Sequence, residues 1–121
     1  MKKLITIIVP AYNEEACVEE LAHQLTAVFA VNDRYDFETL IIENGSVDRT
    51  WEILQTINAR DPRFKVIRLA RNFRMDGGIT AGLDYATGDA VVFMTADLQD
   101  PPELITEFIK KWEEGYENIY M

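Results

Sequence analysis

The sequence predicts an α/β protein, a three-layer α/β/α arrangement around a mostly parallel sheet. Three observations carry this expectation. Short apolar, β-branched runs alternate along the chain with segments of helical periodicity. The runs are apolar on both faces, the pattern of strands covered by helices above and below. Each run ends in a cluster of polar residues, and in a parallel sheet such clusters converge on one edge, where open α/β sheets bind their ligands.

Leu4 to Val9 reads as the first buried strand. From Glu14 onward Val18, Leu21, Ala22, Leu25, Val28 and Phe29 recur at helical spacing. Phe37 to Ile42 is a second strand, and Val47, Trp51, Leu54 and Ile57 form the face of a second helix. Asp61-Pro62 marks a turn, and Phe64 to Leu69 a third strand. Ile79 to Ala86 belongs to a third helix, ended by Thr87-Gly88-Asp89. Ala90 to Met94 is the fourth strand. Leu104, Ile105, Phe108, Ile109 and Trp112 mark a fourth helix, closed by Gly115. Trp51 and Trp112 are expected in the core or an interface, and His23 on the solvated side of the first helix. The closing Asn118-Ile119-Tyr120-Met121 reads as a strand just starting, so residues 1–121 are expected to be the front part of a longer protein.

The chain has 121 residues, 48% of them apolar, enough for one domain with a real core and too few for two. Its net charge of −9 argues against a nucleic-acid-binding surface. An acidic protein still binds an anionic nucleotide when a divalent cation sits between them. The one cysteine, Cys17, excludes an internal disulfide and a Cys-rich zinc site. It is expected to act as a small buried hydrophobe on a helix face, in a reducing compartment. Met1-Lys2-Lys3 is followed by only six residues, Leu4 to Val9, before Pro10, too few for a signal peptide. No apolar run approaches the length of a membrane span.

The segment from Val91 to Glu103 is the most informative. An apolar run stops at Asp97-Leu98-Gln99-Asp100, and Pro101-Pro102 starts the next helix. Asp100 and Glu103 stand at capping-box spacing. Asp97 and Gln99 lie upstream of that cap, and hard oxygen donors there suit Mg²⁺ or Mn²⁺ holding a substrate's phosphates. Two familiar phosphate loops are missing: no Gly-x-Gly-x-x-Gly follows the first strand, and the chain has no Gly-Lys pair. Gly77, Gly78 and Gly82 cluster after the third strand without dinucleotide spacing, and serve close packing or phosphate approach equally well. Pro10-Ala11-Tyr12-Asn13-Glu14, Glu43-Asn44-Gly45-Ser46 with Asp48, Arg71-Asn72-Phe73-Arg74, and Asp97 with Gln99 close the four strands. Each has a structural excuse alone: Ser46 with Asp48 suits a helix start, and Tyr12 suits packing.

Taken together, Val9-Pro10-Ala11-Tyr12-Asn13-Glu14-Glu15, Glu43-Asn44-Gly45-Ser46-Val47-Asp48, Arg71-Asn72-Phe73 and Ala96-Asp97-Leu98-Gln99-Asp100-Pro101-Pro102-Glu103 resemble the inverting family 2 glycosyltransferases. The closest branch is that of the polyprenyl-phosphate glycosyltransferases, relatives of dolichyl-phosphate mannose synthase. The resemblance covers nearly the whole chain. It implies that residues 1–121 are the incomplete, nucleotide-sugar-binding half of a GT-A catalytic domain, with a nucleotide-diphosphate sugar as donor and Mg²⁺ or Mn²⁺ as cofactor. It puts Pro10, Ala11, Tyr12 and Glu14 at the base and ribose, and Glu43 at the acidic position that reads the base, beside Asn44 and Gly45. Arg71 and Asn72 lie near the donor, and Asp97 and Gln99 on the metal and diphosphate, Asp97 being the catalytic residue. A lipid-phosphate acceptor, contact with the cytoplasmic face of the membrane through regions absent from this chain, and a soluble, inactive fragment are further implications. A homo-oligomer is left open.

Three departures from the family pattern stand out. The acidic pair before Gly-Ser is Glu43-Asn44, the Gly-Lys after Arg-Asn-Phe is Arg74-Met75, and Asp-x-Asp is Thr95-Ala96-Asp97. Thr95 and Arg74-Met75 support the alternative of a nucleotide-binding module without catalysis. A flavodoxin-like receiver is disfavoured, because its third strand would end in a lone Asp where this one ends in Arg71.

Overall fold

In the computed structural model, residues 2–69, 85, 87–98 and 101–115 are described. Four strands, β1 (Leu4–Ala11), β2 (Asp36–Glu43), β3 (Phe64–Arg68) and β4 (Ala90–Phe93), alternate with helices α1 (Val18–Val31), α2 (Thr50–Arg60) and α3 (Leu104–Glu113). The strands form one sheet in the order β3-β2-β1-β4, every pairing parallel. The predicted helix over 79–86 lies outside the described residues apart from Tyr85, which is helical and exposed. So do Arg71, Asn72, Arg74, Met75, Gly77, Gly78, Gly82, Gln99, Asp100 and the closing residues 118–121.

The twofold side-chain alternation of a strand sorts the sheet residues onto two faces. Ile5, Ile7, Val9 and Ala11 of β1, with Phe37, Ile41, Phe64 and Val92, join the buried sides of α1, α2 and α3 in the main core. The six α1 positions expected on its inner face are all buried there. Ile8, Leu40 and Ile42, with Ile67, Leu69 and Val91 against them, line the opposite face. Each fully buried Ile or Leu contributes roughly 1.5–3 kcal/mol.

Periodicity overreached at element ends. Val47, expected on the face of the second helix, precedes α2 and is 87% exposed. Leu104 opens α3 but is exposed, while Ile105, Phe108 and Ile109 are buried. Cys17 is half-buried at the position before α1, not on its inner face, and its backbone N–H bonds the Glu14 carbonyl at 2.9 Å. His23 is exposed as expected, and Trp112 packs at the margin of the core.

Pro10 shapes the sheet. β1 pairs with β2 as far as Ala11, but with β4 only as far as Ile8. Ile8 offers its carbonyl to Met94 on the β4 side, and Ala11 offers its carbonyl to Asn44 on the β2 side. By alternation Pro10 faces β4, where the ladder has already ended, so its missing N–H forfeits no strand bond. Beyond Ile8 the two strands part. Chain order reverses at this point, β2 lying on one side of β1 and β4 on the other, and such switch points carry the ligand crevice of open α/β sheets.

A buried polar knot lies toward the other end of the strands. Glu38 Oε1 accepts hydrogen bonds from the Thr6 hydroxyl (2.6 Å) and from the Thr87 N–H and hydroxyl (both 2.9 Å). Its Oε2 pairs with Lys65 Nζ at 3.0 Å. Burial alone would raise the Glu38 pKa, but these bonds outweigh it and bring it down to about 2. The folded value lies below the unfolded one, so the stabilisation is complete above about pH 5.5 and is lost as pH falls through about 2. Its size is about 3 kcal/mol. Urea unfolding followed from pH 6 to pH 2 is expected to show this loss in the wild type and a flattened acid limb in Glu38→Gln.

Candidate functional site

The carboxyl edge of the sheet brings the β1, β2 and β4 loops together. The first two are tied by reciprocal bonds. The Asn13 N–H donates to Ser46 Oγ at 2.8 Å, and the Val47 N–H donates to Asn13 Oδ1 at 2.9 Å. The Glu14 N–H donates to Thr50 Oγ1 at 2.8 Å, and the Glu15 N–H to Asp48 Oδ2 at 3.3 Å. Asn13 has φ +52°, a left-handed conformation that asparagine tolerates better than most residues. That turn aims its amide at the neighbouring loop. Asn13→Ala removes one bond and places alanine in a disfavoured conformation. The expected loss is about 1–3 kcal/mol in urea unfolding, with faster hydrogen exchange at the Val47 amide.

Ser46 therefore does not start α2, as the spacing had suggested. Asp48, one residue before the cap position at Arg49, supports the helix start instead: its Oδ1 accepts the Thr50 N–H at 2.9 Å and also the Thr50 hydroxyl. Burial would raise the Asp48 pKa, yet these bonds, with that from Glu15, hold it below the usual carboxylate range. At the start of α3 the cap position is Glu103, which makes no side-chain cap bond, and Asp100, the expected start of a capping box, lies outside the described residues.

Glu43 ends β2 with no exposed surface. Its Oε1 accepts the Ser46 N–H, while Arg68 Nε lies 3.2 Å from Oε2 as an ion pair. Among the described residues, Oε2 accepts no well-aligned hydrogen bond. The Arg68 guanidinium in turn lies over the Trp51 ring, 5.3 Å from its centroid. The carboxylate thus braces the Asn44-Gly45-Ser46 turn from beneath, and a ligand reaching it would have to displace one of these partners. Gly45 has φ +82°, a conformation costly for any residue with a Cβ.

Asp97 lies half-buried in the turn after β4. Its neighbours anchor it: Ala96 is buried, and Leu98, at φ +64°, packs against the core. Thr95 Oγ1 donates to Asp97 Oδ1 at 2.7 Å. Beyond the end of β1, burial raises the Glu14 pKa, and the negative charges of Asp97 and Asp48 raise it further. The sequence-predicted residues of the first strand end there too: Pro10 half-buried, Ala11 buried, and Tyr12 42% exposed rather than packed. Both non-glycine residues with positive φ among the described residues, Asn13 and Leu98, lie in the turns that follow β1 and β4.

Reading the sequence missed Asn13, Ser46 and Thr50 as the stitching of the site. An asparagine after a strand-ending proline was the available sign for the first. Arg71, Asn72 and Gln99 lie outside the described residues. Among the described residues, no group of three His, Cys, Asp or Glu side chains is placed to hold a metal ion, and no helix is long and apolar enough to cross a membrane.

Comparison with known proteins agrees with this geometry. The sequence pattern of Glycosyl transferase family 2 matches residues 6–121. An uncharacterized glycosyltransferase, YkcC, of Bacillus subtilis (strain 168) is 49% identical over 115 residues, 95% of this chain and 35% of its own length. A prophage bactoprenol glucosyl transferase homolog of Escherichia coli (strain K12) is 35% identical over 115 residues, 95% of this chain and 37% of its own. This chain therefore spans about a third of the length of these relatives. The mannosyltransferase PcManGT of Pyrobaculum calidifontis, solved in complex with GDP-Man and Mn²⁺, superposes with a TM-score of 0.76 at 23% identity. The superposition covers 93% of this chain and 32% of that one, a likeness of GT-A fold. A parallel β3-β2-β1-β4 sheet, a reversal of chain order where β1 and β4 part, and a family pattern matching residues 6–121 lead to one assignment: the chain belongs to glycosyl transferase family 2.

Proposed function

We propose that the whole protein transfers a sugar, with inversion, from a nucleotide-diphosphate sugar to a polyprenyl phosphate, at the cytoplasmic face of the membrane. The observation that carries this reading is Asp97, held by Thr95 in the turn after β4 and close enough to Glu14 to perturb it. The donor's base and ribose would meet Pro10, Ala11, Tyr12 and Glu14, beside the Asn44-Gly45 turn that Glu43 braces. Its diphosphate would lie toward Asp97, with Arg71, Asn72 and Gln99 as further proposed contacts. The bactoprenol glucosyl transferase homolog, at 35% identity, supports the lipid acceptor. Membrane contact and acceptor binding are assigned to regions outside this chain.

The donor set fits Mg²⁺ or Mn²⁺. Such ions accept one or two carboxylates and complete their shell with water and substrate phosphates. Asp97 offers an oriented carboxylate. A divalent ion held by Asp97 and Gln99 would neutralise the charge that grows on the departing diphosphate. The chain's own task is to hold the donor so that its anomeric carbon faces the acceptor, with the diphosphate on the far side. A phosphate nucleophile asks little more of it. Its second pKa is about 6, so it is largely ionised at neutral pH and needs no protein base.

The test is calorimetric titration of the full-length protein with UDP, GDP and CDP, each with and without Mn²⁺, followed by transfer from the matching nucleotide sugar to undecaprenyl phosphate. Metal-dependent binding of one nucleotide together with transfer is expected. Binding without transfer to any acceptor would favour the non-catalytic nucleotide-binding module, the reading that Thr95 in place of a carboxylate raises.

A further inference from the structure

We propose that Thr95 is a positioning residue for Asp97: its hydroxyl sets the direction of the Asp97 carboxylate at the proposed cation site. The inference rests on the reading of Asp97 as a cation ligand. The segment Thr95-Ala96-Asp97 brings one negative charge. Two carboxylates can grip a cation from two directions. A single one, free to rotate, would spread its lone pairs over many directions and lose orientation entropy on binding.

The structure removes that freedom. Thr95 Oγ1 lies 2.7 Å from Asp97 Oδ1, an O–H···O⁻ bond of ordinary length. Threonine is β-branched and stiff at χ1, so its hydroxyl is held before any ligand arrives. The backbone on both sides is anchored, by Met94 and Ala96 in the core and by Leu98 packed against it. A donor two residues upstream thus fixes the carboxylate plane from outside the coordination shell. Groups that orient a metal ligand in this way change metal affinity by roughly 10–100-fold when removed.

A second consequence follows from the same charge count. With one carboxylate here, the cation depends on the donor's diphosphate for much of its negative charge. Cation and nucleotide should therefore bind as a coupled pair, each strengthening the other by the same factor.

The experiment uses the full-length protein and the nucleoside diphosphate, among UDP, GDP and CDP, that the wild type binds with Mn²⁺. The readout is the ratio of its affinity with Mn²⁺ to its affinity without. Thr95→Val, close to threonine in shape, is expected to lower that ratio roughly 10–100-fold and to leave metal-free affinity unchanged. Thr95→Ser, which keeps the hydroxyl, should retain most of the ratio. Equal ratios in wild type and Thr95→Val overturn the proposal, as does a parallel fall of metal-free affinity, which would reveal general damage to the loop. Should Thr95→Val fail to fold, Thr95→Ser decides: a ratio as low as that of Asp97→Ala overturns the proposal, and retention supports it. A wild type whose binding ignores Mn²⁺ fails at the earlier step, removing the cation reading and this inference with it.

Discussion

Asp97→Ala in the full-length protein is expected to abolish the Mn²⁺-dependent part of nucleotide binding and to lower sugar transfer by at least about 100-fold. That exceeds the usual effect of removing a group that merely supports a metal ligand. Asp97 sits just past the end of β4, where the pairing of β1 with β4 has already stopped at Ile8. Asp97→Asn separates charge from shape. It can still accept the Thr95 hydrogen bond, yet it has no net charge for the cation. The asparagine variant should fold like the wild type and still lose metal-dependent binding. Near-wild-type transfer by either variant would remove Asp97 from the proposed machinery. The Glu14 carboxyl offers a second readout. Asp97 is one of the charges that raise its pKa, so Glu14 should titrate lower in Asp97→Asn, followed by carboxyl NMR signals.

Gly88→Ala is the substitution expected to harm the fold most. A Cβ at Gly88 would stand 2.4 Å from Thr6 Oγ1, 2.8 Å from the Thr6 backbone nitrogen and 3.0 Å from the Ala90 carbonyl. The Thr6 nitrogen belongs to the middle of β1 and cannot swing aside. The Thr6 hydroxyl also accepts the Gly88 N–H at 2.9 Å while donating to Glu38. Making room would thus break the knot that joins β1, β2, β3 and the approach to β4. Overpacking and the disrupted bonds to a buried carboxylate together cost roughly 3–5 kcal/mol. That is a large share of the stability of an ordinary domain. Urea unfolding at pH 7 measures it. A loss below about 1 kcal/mol would mean that the segment before β4 shifts away from Thr6 at little cost.

Much of the architecture was legible before any coordinates. The apolar runs at Leu4, Phe37, Phe64 and Ala90 are the four strands, and the inner face of α1 was read residue by residue. Burial imposes periods of two and near 3.6, and both survive in a single sequence. What failed, failed at the ends of elements. Val47 and Leu104 fit a helical repeat, but Val47 lies before the helix and Leu104 on its first, exposed turn. Periodicity carries no information about where a hydrogen-bonded ladder begins. Ser46 was read as a cap because its type suits one, yet its hydroxyl serves Asn13, 33 positions away in the chain.

The sequence by itself determined the α/β class, the order of elements, the acidic strand end at Asp97, and the family. Those depend on local pattern and on residue identity at set spacings. Tertiary structure decided what each polar residue touches. It turned Glu43 inward beneath the Gly45 turn, joined Asn13 to Ser46, and laid the Thr95 hydroxyl on Asp97. It also placed Pro10 where β1 and β4 part. The Asn13–Ser46 tie and the place of Pro10 depend on which strands become neighbours, a choice made by packing across the whole sheet, while the Thr95–Asp97 bond depends on the shape of one turn.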